Sequence, residues 1–188
     1  MKLTIHTIET APEGSHSTLD GIAGDLGFVP NLAAAVAESP ALLAAFDGLR
    51  RAVAAADLAP VHREIAGLAT GAAVDNAYGV AFHSTVLDRL GLDATDVDAM
   101  RDGREPADRT QAAVYALARA IALTRGKVAA EVVERAADEG LSTEAILEIV
   151  AECTFAGLVG TIDNLAGGVE LDDFLAPRAW TPAATAGR

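Results

Sequence analysis

Residues 63–83, REIAGLATGAAVDNAYGVAFH, decide how the chain folds. Apolar positions recur at helical spacing up to Val74, Asp75-Asn76 interrupts them, and a second apolar run carrying a histidine follows. Asp and Asn favour helix starts, where their side chains accept the free N–H groups of the first turn. The stretch therefore reads as a helix pair. If the second helix begins near Asn76, then Asn76, Gly79 and His83 stand at i, i+3 and i+7 and share one face, with Glu64 on the preceding helix. One carboxylate and one imidazole are expected to meet across that pair in apolar surroundings, the usual construction of a general acid/base pair.

Helical spacing continues on both sides. Residues 32–38 form a short helix entered through Pro30 and Asn31, and Ser39-Pro40 opens a longer one reaching about Ala56, with Leu42, Leu43, Phe46, Leu49 and Val53 in step. A break over 57–60 precedes the Glu64 helix, 61–74. The His83 helix, 76–90, is closed by Gly91. Further helices are predicted over 94–101, 106–124, 128–139 and 144–166, the last opened by Ser142 or Thr143, carrying Cys153 and ended by Gly167-Gly168. Residues 3–8 read as extended and 9–19 as a loop rich in Ser, Thr and Pro. The prediction is an all-α, single-domain helical bundle. Residues 1–19 form an extended or loop segment, 20–170 the helical domain, and 171–188 a tail whose Phe174 and Trp180 are expected to dock on a neighbouring subunit.

Bulk properties narrow the function. With 188 residues and 51% hydrophobic content, one domain with a substantial core is expected, and an aromatic share of 4% argues against a β-sandwich or barrel. A net charge of −13, from 14 Lys+Arg against 27 Asp+Glu, disfavours nucleic acid and anionic membrane surfaces as partners. Residues 65–87 are weakly charged, but Asp75, Asn76 and His83 fall inside that run, so a membrane span is not expected. A single cysteine, Cys153, and an N-terminus that turns polar within ten residues fit a reducing cytoplasm. Phosphate-loop, dinucleotide, zincin and nucleophile-elbow motifs are absent from the sequence. His6, His16, His62 and His83 lack ligand spacing, so no metal and no cofactor is expected.

The run Glu64-Ile65, Asn76-Ala77-Tyr78-Gly79 and His83 resembles the signature of the carboxymuconolactone decarboxylase and alkylhydroperoxidase D-type superfamily. In that signature a Glu on one helix precedes a Cys-x-x-Cys and a His four residues later. Gly27-Phe28-Val29-Pro30-Asn31, then residues 39–46, SPALLAAF, then Leu58-Ala59-Pro60 ahead of Arg63-Glu64-Ile65, follow the order of peroxidase-related members. The resemblance covers most of residues 20–175. Both cysteine positions are filled, by Asn76 and Gly79, which form neither thiolate nor disulfide. The decarboxylase branch also lacks the cysteines and keeps a tyrosine and a histidine, here Tyr78 and His83, but usually has a glutamate where Gly79 stands. The resemblance implies an alkylhydroperoxidase D-like bundle assembled as a homo-oligomer, a trimer or hexamer. It also implies catalysis by His83 and Glu64, with Tyr78, Asn76 and Gly79 around a small-molecule substrate.

Each residue has a plainer reading beside the functional one. His83 can be a core-edge histidine, Glu64 a solvated partner of Arg63 or His62, Asn76 a helix cap and Tyr78 a packing residue. Asp163 and Asn164 read as a hydrogen-bond network at a helix end, and Cys153 as a small core hydrophobe. Three functions follow. The first is a non-redox acid/base enzyme on a small organic acid, lactone or carbonyl compound. The second is a peroxidase-type antioxidant protein using Cys153 or an external thiol. The third is a degenerate member that binds a ligand or serves as a scaffold.

Overall fold

Ser39, Asn76, Asp108 and Ser142 each precede a helix and accept an N–H from its first turn, so four helix starts follow directly from capping chemistry. The computed structural model describes residues 1–182, which hold nine α-helices, no strand, and a final 3-10 turn. In chain order these are α1 Glu13–Leu26, α2 Asn31–Val36, α3 Pro40–Ala54, α4 Pro60–Ala73, α5 Ala77–Arg89, α6 Ala94–Arg101, α7 Arg109–Thr124, α8 Ala130–Asp138 and α9 Thr143–Ala166. The 3-10 turn is Asp173–Arg178.

Helix α4 is the axis of the bundle. Its residues are buried without interruption from Glu64 to Gly71, and α5, α7 and α9 pack around it. A helix buried all round has no solvent face to keep polar, which is why this stretch is so poor in charge. Two apolar cores flank it. One gathers Ile65, Leu68, Val80, Leu87, Met100, Val114, Tyr115, Leu117 and Ile149. The other gathers Leu19, Ile22, Leu32, Leu43, Phe46, Tyr78, Val159 and Leu175. Helix α5 contributes Val80 and Leu87 to the first and Tyr78 and Ala81 to the second, so His83 lies where the two meet.

Two expectations are corrected. The loop read over 9–19 is helix α1 from Glu13 onward: Pro12 precedes the first turn, Glu13 favours its positive end, and Leu19 and Ile22 are fully buried. Its small polar residues hid the periodicity, and Ser15, which looks like a loop residue, is buried with its hydroxyl donating to the Ala37 carbonyl at 2.6 Å. The tail docks on its own chain rather than waiting for a neighbour. Arg178 pairs with Asp88 at 2.5 Å and Asp98 at 2.7 Å, and Arg101 donates to the carbonyls of Arg178 and Ala179. Trp180 packs on the first core and Phe174 on the second. The part of the predicted tail over 183–188 lies outside the described residues.

Candidate active site

A single residue in the left-handed region turns the chain between the two central helices. Asp75 has φ 58°, a conformation Asp tolerates better than most, and the Asn76 N–H returns to the Gly71 carbonyl at 2.9 Å. Helix α5 then starts with two side-chain acceptors. Asn76 Oδ1 accepts from the Gly79 N–H at 2.9 Å, and Asp163 Oδ2, from α9, accepts from the Tyr78 N–H at 3.1 Å.

This antiparallel turn brings Glu64 to His83. Nδ1 of His83 donates to Glu64 Oε2 at 2.8 Å, and Arg63 Nε donates to Glu64 Oε1 at 3.1 Å. Both site residues are buried. Gly67, one turn along α4 from Glu64, is what lets the ring lie there: a Cβ on it would fall inside the imidazole. On the far side, Nε2 of His83 faces Glu152 Oε1 of α9 at 3.8 Å, beyond hydrogen-bond length, and makes no hydrogen bond among the described residues.

The three groups divide their protons unevenly. For His83, burial opposes the charged form, but the bond to Glu64 and the charges of Glu64 and Glu152 outweigh it and hold the imidazole above its ordinary pKa. For Glu64, burial is likewise outweighed by His83 and Arg63, and the carboxyl sits below its usual range. For Glu152 the charges of His83 and Arg63 oppose burial but do not outweigh it. Burial, reinforced by the charge of Glu64, pushes its carboxyl up to about 7. Near neutrality the cluster therefore holds a pinned ion pair and a carboxyl that loads and unloads a proton.

His83, Glu64 and Glu152 border a cavity of about 360 Å³, toward the small end of ligand sites. Tyr78 and Gly79 also border it, but the Tyr78 hydroxyl donates to Asp172, which also accepts from the Asn31 N–H at 3.1 Å. Asn76 does not border the cavity. It is fully buried as the α5 cap, and its Nδ2 has no hydrogen-bond partner among the described residues. A Cβ on Gly79 would meet that amide, so Gly79 makes room for the cap. Among the described residues no group of three or more His, Cys, Asp or Glu is arranged to hold a metal ion.

Glu152 is the site residue the sequence reading missed. Its signal was an acidic side chain at 152 on the stripe of α9 that also buries Ile149, Cys153, Ala156 and Val159. Asp163 and Asn164 form the expected helix-end network. Asp163 Oδ1 accepts from the Val169 N–H at 2.7 Å, and Asn164 Nδ2 donates to the Val74 carbonyl at 2.7 Å. Cys153 is buried and faces the Ala118 carbonyl at 3.9 Å, and burial pushes its thiol up to about 11.

Residues 40–122, which span α3 to most of α7 and include Glu64 and His83, match the model of the Carboxymuconolactone decarboxylase family. No curated protein matches the sequence. Among solved structures, the alkylhydroperoxidase AhpD core of an uncharacterized peroxidase-related protein from Ralstonia eutropha JMP134 aligns with a TM-score of 0.80 at 21% identity, covering 97% of both chains. A variant of the debrominase Bmp8 in complex with 2,3,4-tribromopyrrole aligns at 0.74 and 20% identity, covering 95% of both. An uncharacterized peroxidase-related protein from Silicibacter sp. TM1040 aligns at 0.74 and 16% identity, covering 92% of this chain and 91% of that one. At such identities the structural likeness speaks for the fold. The match over residues 40–122 makes that stretch similar to the Carboxymuconolactone decarboxylase family, and the chain as a whole has the all-α alkylhydroperoxidase D-like fold.

Proposed function

We propose that the protein is a non-redox acid/base enzyme acting on a small organic acid, lactone or related carbonyl compound. One arrangement carries the reading: a single imidazole stands between two buried carboxyl groups, pinned by one at 2.8 Å and separated from the other by 3.8 Å, beside a cavity. Glu64 fixes Nδ1, so proton traffic runs through Nε2. His83 moves its proton onto a carbonyl oxygen of the substrate, while Glu152 as carboxylate takes the proton from the neighbouring carbon. Return of the proton from Glu152 to another carbon, with the enol O–H proton going back to Nε2 of His83, completes an isomerisation. Where the substrate carries a β-carboxylate, loss of CO₂ replaces the abstraction and Glu152 as acid protonates the carbon. Tyr78 and Gly79 form wall, and Asn76 supports the helix start behind it.

The experiment follows carbon-bound proton exchange and CO₂ loss by NMR in D₂O, over small β-keto acids and carboxylated γ-lactones. Turnover by the native protein should fall by about 100-fold or more in His83→Ala, the usual scale for a positioned acid or base. Unchanged turnover in His83→Ala refutes the assignment. Thiol chemistry would have to run through Cys153, which does not border the cavity and whose raised pKa keeps it a thiol near neutrality, or through an external thiol. The open volume beside His83 favours an enzyme over a filled, degenerate site.

A further inference from the structure

The chain contains five phenylalanines, and all five, Phe28, Phe46, Phe82, Phe155 and Phe174, border the one cavity that His83 borders. Phe46 belongs to the second core and Phe82, Phe155 and Phe174 pack against it, so the rings of that core also wall the open space. The first core is closed almost entirely by Ala, Leu, Ile, Val and Met. Around the cavity the rings form two contacting pairs, Phe28 with Phe174 at 5.5 Å and Phe46 with Phe155 at 5.2 Å, while Phe82 stands edge-on to His83 at 5.3 Å. Aromatic walls around open space favour a flat π-system, which meets their edges and faces.

The charge of the wall points the same way. Leaving His83 aside, three arginines and two glutamates border the cavity, a balance of +1 in a chain of −13. Arg50 is paired with Asp25 and Asp47, and Arg63 with Glu64. Arg89 is different. It is exposed, lies 5.1 Å over the Phe174 ring, and has no carboxylate in ion-pair range among the described residues. Arg89 and His83 are both on α5, six residues apart, so their backbones are separated by about 9 Å along the helix. A molecule with an anionic end and a ring spans that interval.

We propose that the cavity takes a flat aromatic monocarboxylate, with its carboxylate on Arg89 at the rim, its ring among the phenylalanines, and its far end against His83. The inference rests on reading this cavity as the substrate site.

The test is calorimetric titration with 2-naphthoate, 2-naphthamide and fully saturated decahydro-2-naphthoate, on the native protein and on Arg89→Gln. Because Arg89 is exposed, this variant should keep the fold. The naphthoate should bind about fivefold more tightly than its amide, the scale of an exposed ion pair. Arg89→Gln should bring the two together. The saturated acid should bind about fivefold more weakly than the naphthoate, for want of ring contacts. Equal binding of acid and amide, a preference that survives Arg89→Gln, equal binding of the saturated acid, or no binding at all would each overturn the assignment. Binding through Arg89 without proton exchange on any carbonyl compound leaves the ligand class standing and removes the acid/base step. Exchange on lactones with no aromatic acid bound overturns the ligand class alone.

Discussion

Glu152 is 2% exposed and has no arginine of its own, so its proton is tied to the folded state. Its carboxyl titrates near 7 in the fold against 4.5 ordinarily, so between those values the folded chain holds a proton the unfolded chain has lost. Stability from this group therefore declines as pH rises through that window, by about 3 kcal/mol at most. Glu152→Gln, a neutral isostere, removes the titration. Melting curves from pH 5 to pH 8 should show the variant gaining on the native protein as pH rises, and parallel curves would contradict the raised pKa. Gly67 acts by absence. Gly67→Ala drives a methyl into the imidazole and should lower kcat by about 100-fold, because displacement on the ångström scale suffices for that. Circular dichroism should show the helices intact. Full turnover in Gly67→Ala would mean that His83 does not work from this position.

Helices α4 and α5 make the site because their junction is short and doubly anchored. Asp163 satisfies the Tyr78 N–H at the start of α5 and the Val169 N–H after α9, so one buried carboxylate ties three segments together. Asp163→Ala leaves both donors without it and should cost about 2–3 kcal/mol in urea denaturation. Asn76→Ala, which loses only a cap, should cost about 1 kcal/mol. These two outcomes also mark what the sequence disclosed. Apolar spacing and caps made α3 to α9 legible to within a few residues, and Glu64 with His83 was legible as a pair because one turn separates their helices. Glu152 was not, since 69 residues separate it from His83 and only packing decides which α9 side chain meets the ring. Helix α1 was hidden for a related reason: its small polar residues are buried by what α2 and α3 do, and nothing local announces it.

At the scale of the whole molecule, α9 presents an uncovered face. Leu147, Val150, Thr154, Leu158, Thr161 and Leu165 fall within one stripe, with Leu147 and Leu165 each 62% exposed. The hydroxyls of Thr154 and Thr161 donate back to the Val150 and Gly157 carbonyls at 2.8 Å, so the threonines show methyl groups outward. We propose that a second copy of the chain covers this stripe in a homo-oligomer, as a face this apolar calls for. Light scattering should give a multiple of the 19.2 kDa chain, and Leu165→Asp should lower the mass. A monomeric native protein would remove the proposal. The tail adds a matter of timing. Asp172, Phe174 and the Arg178 clasp close over helices α2, α5 and α6, all of which leave the ribosome earlier. During translation the cavity beside His83 is thus an open trough, and it acquires the Phe174 wall only once those later turns have emerged.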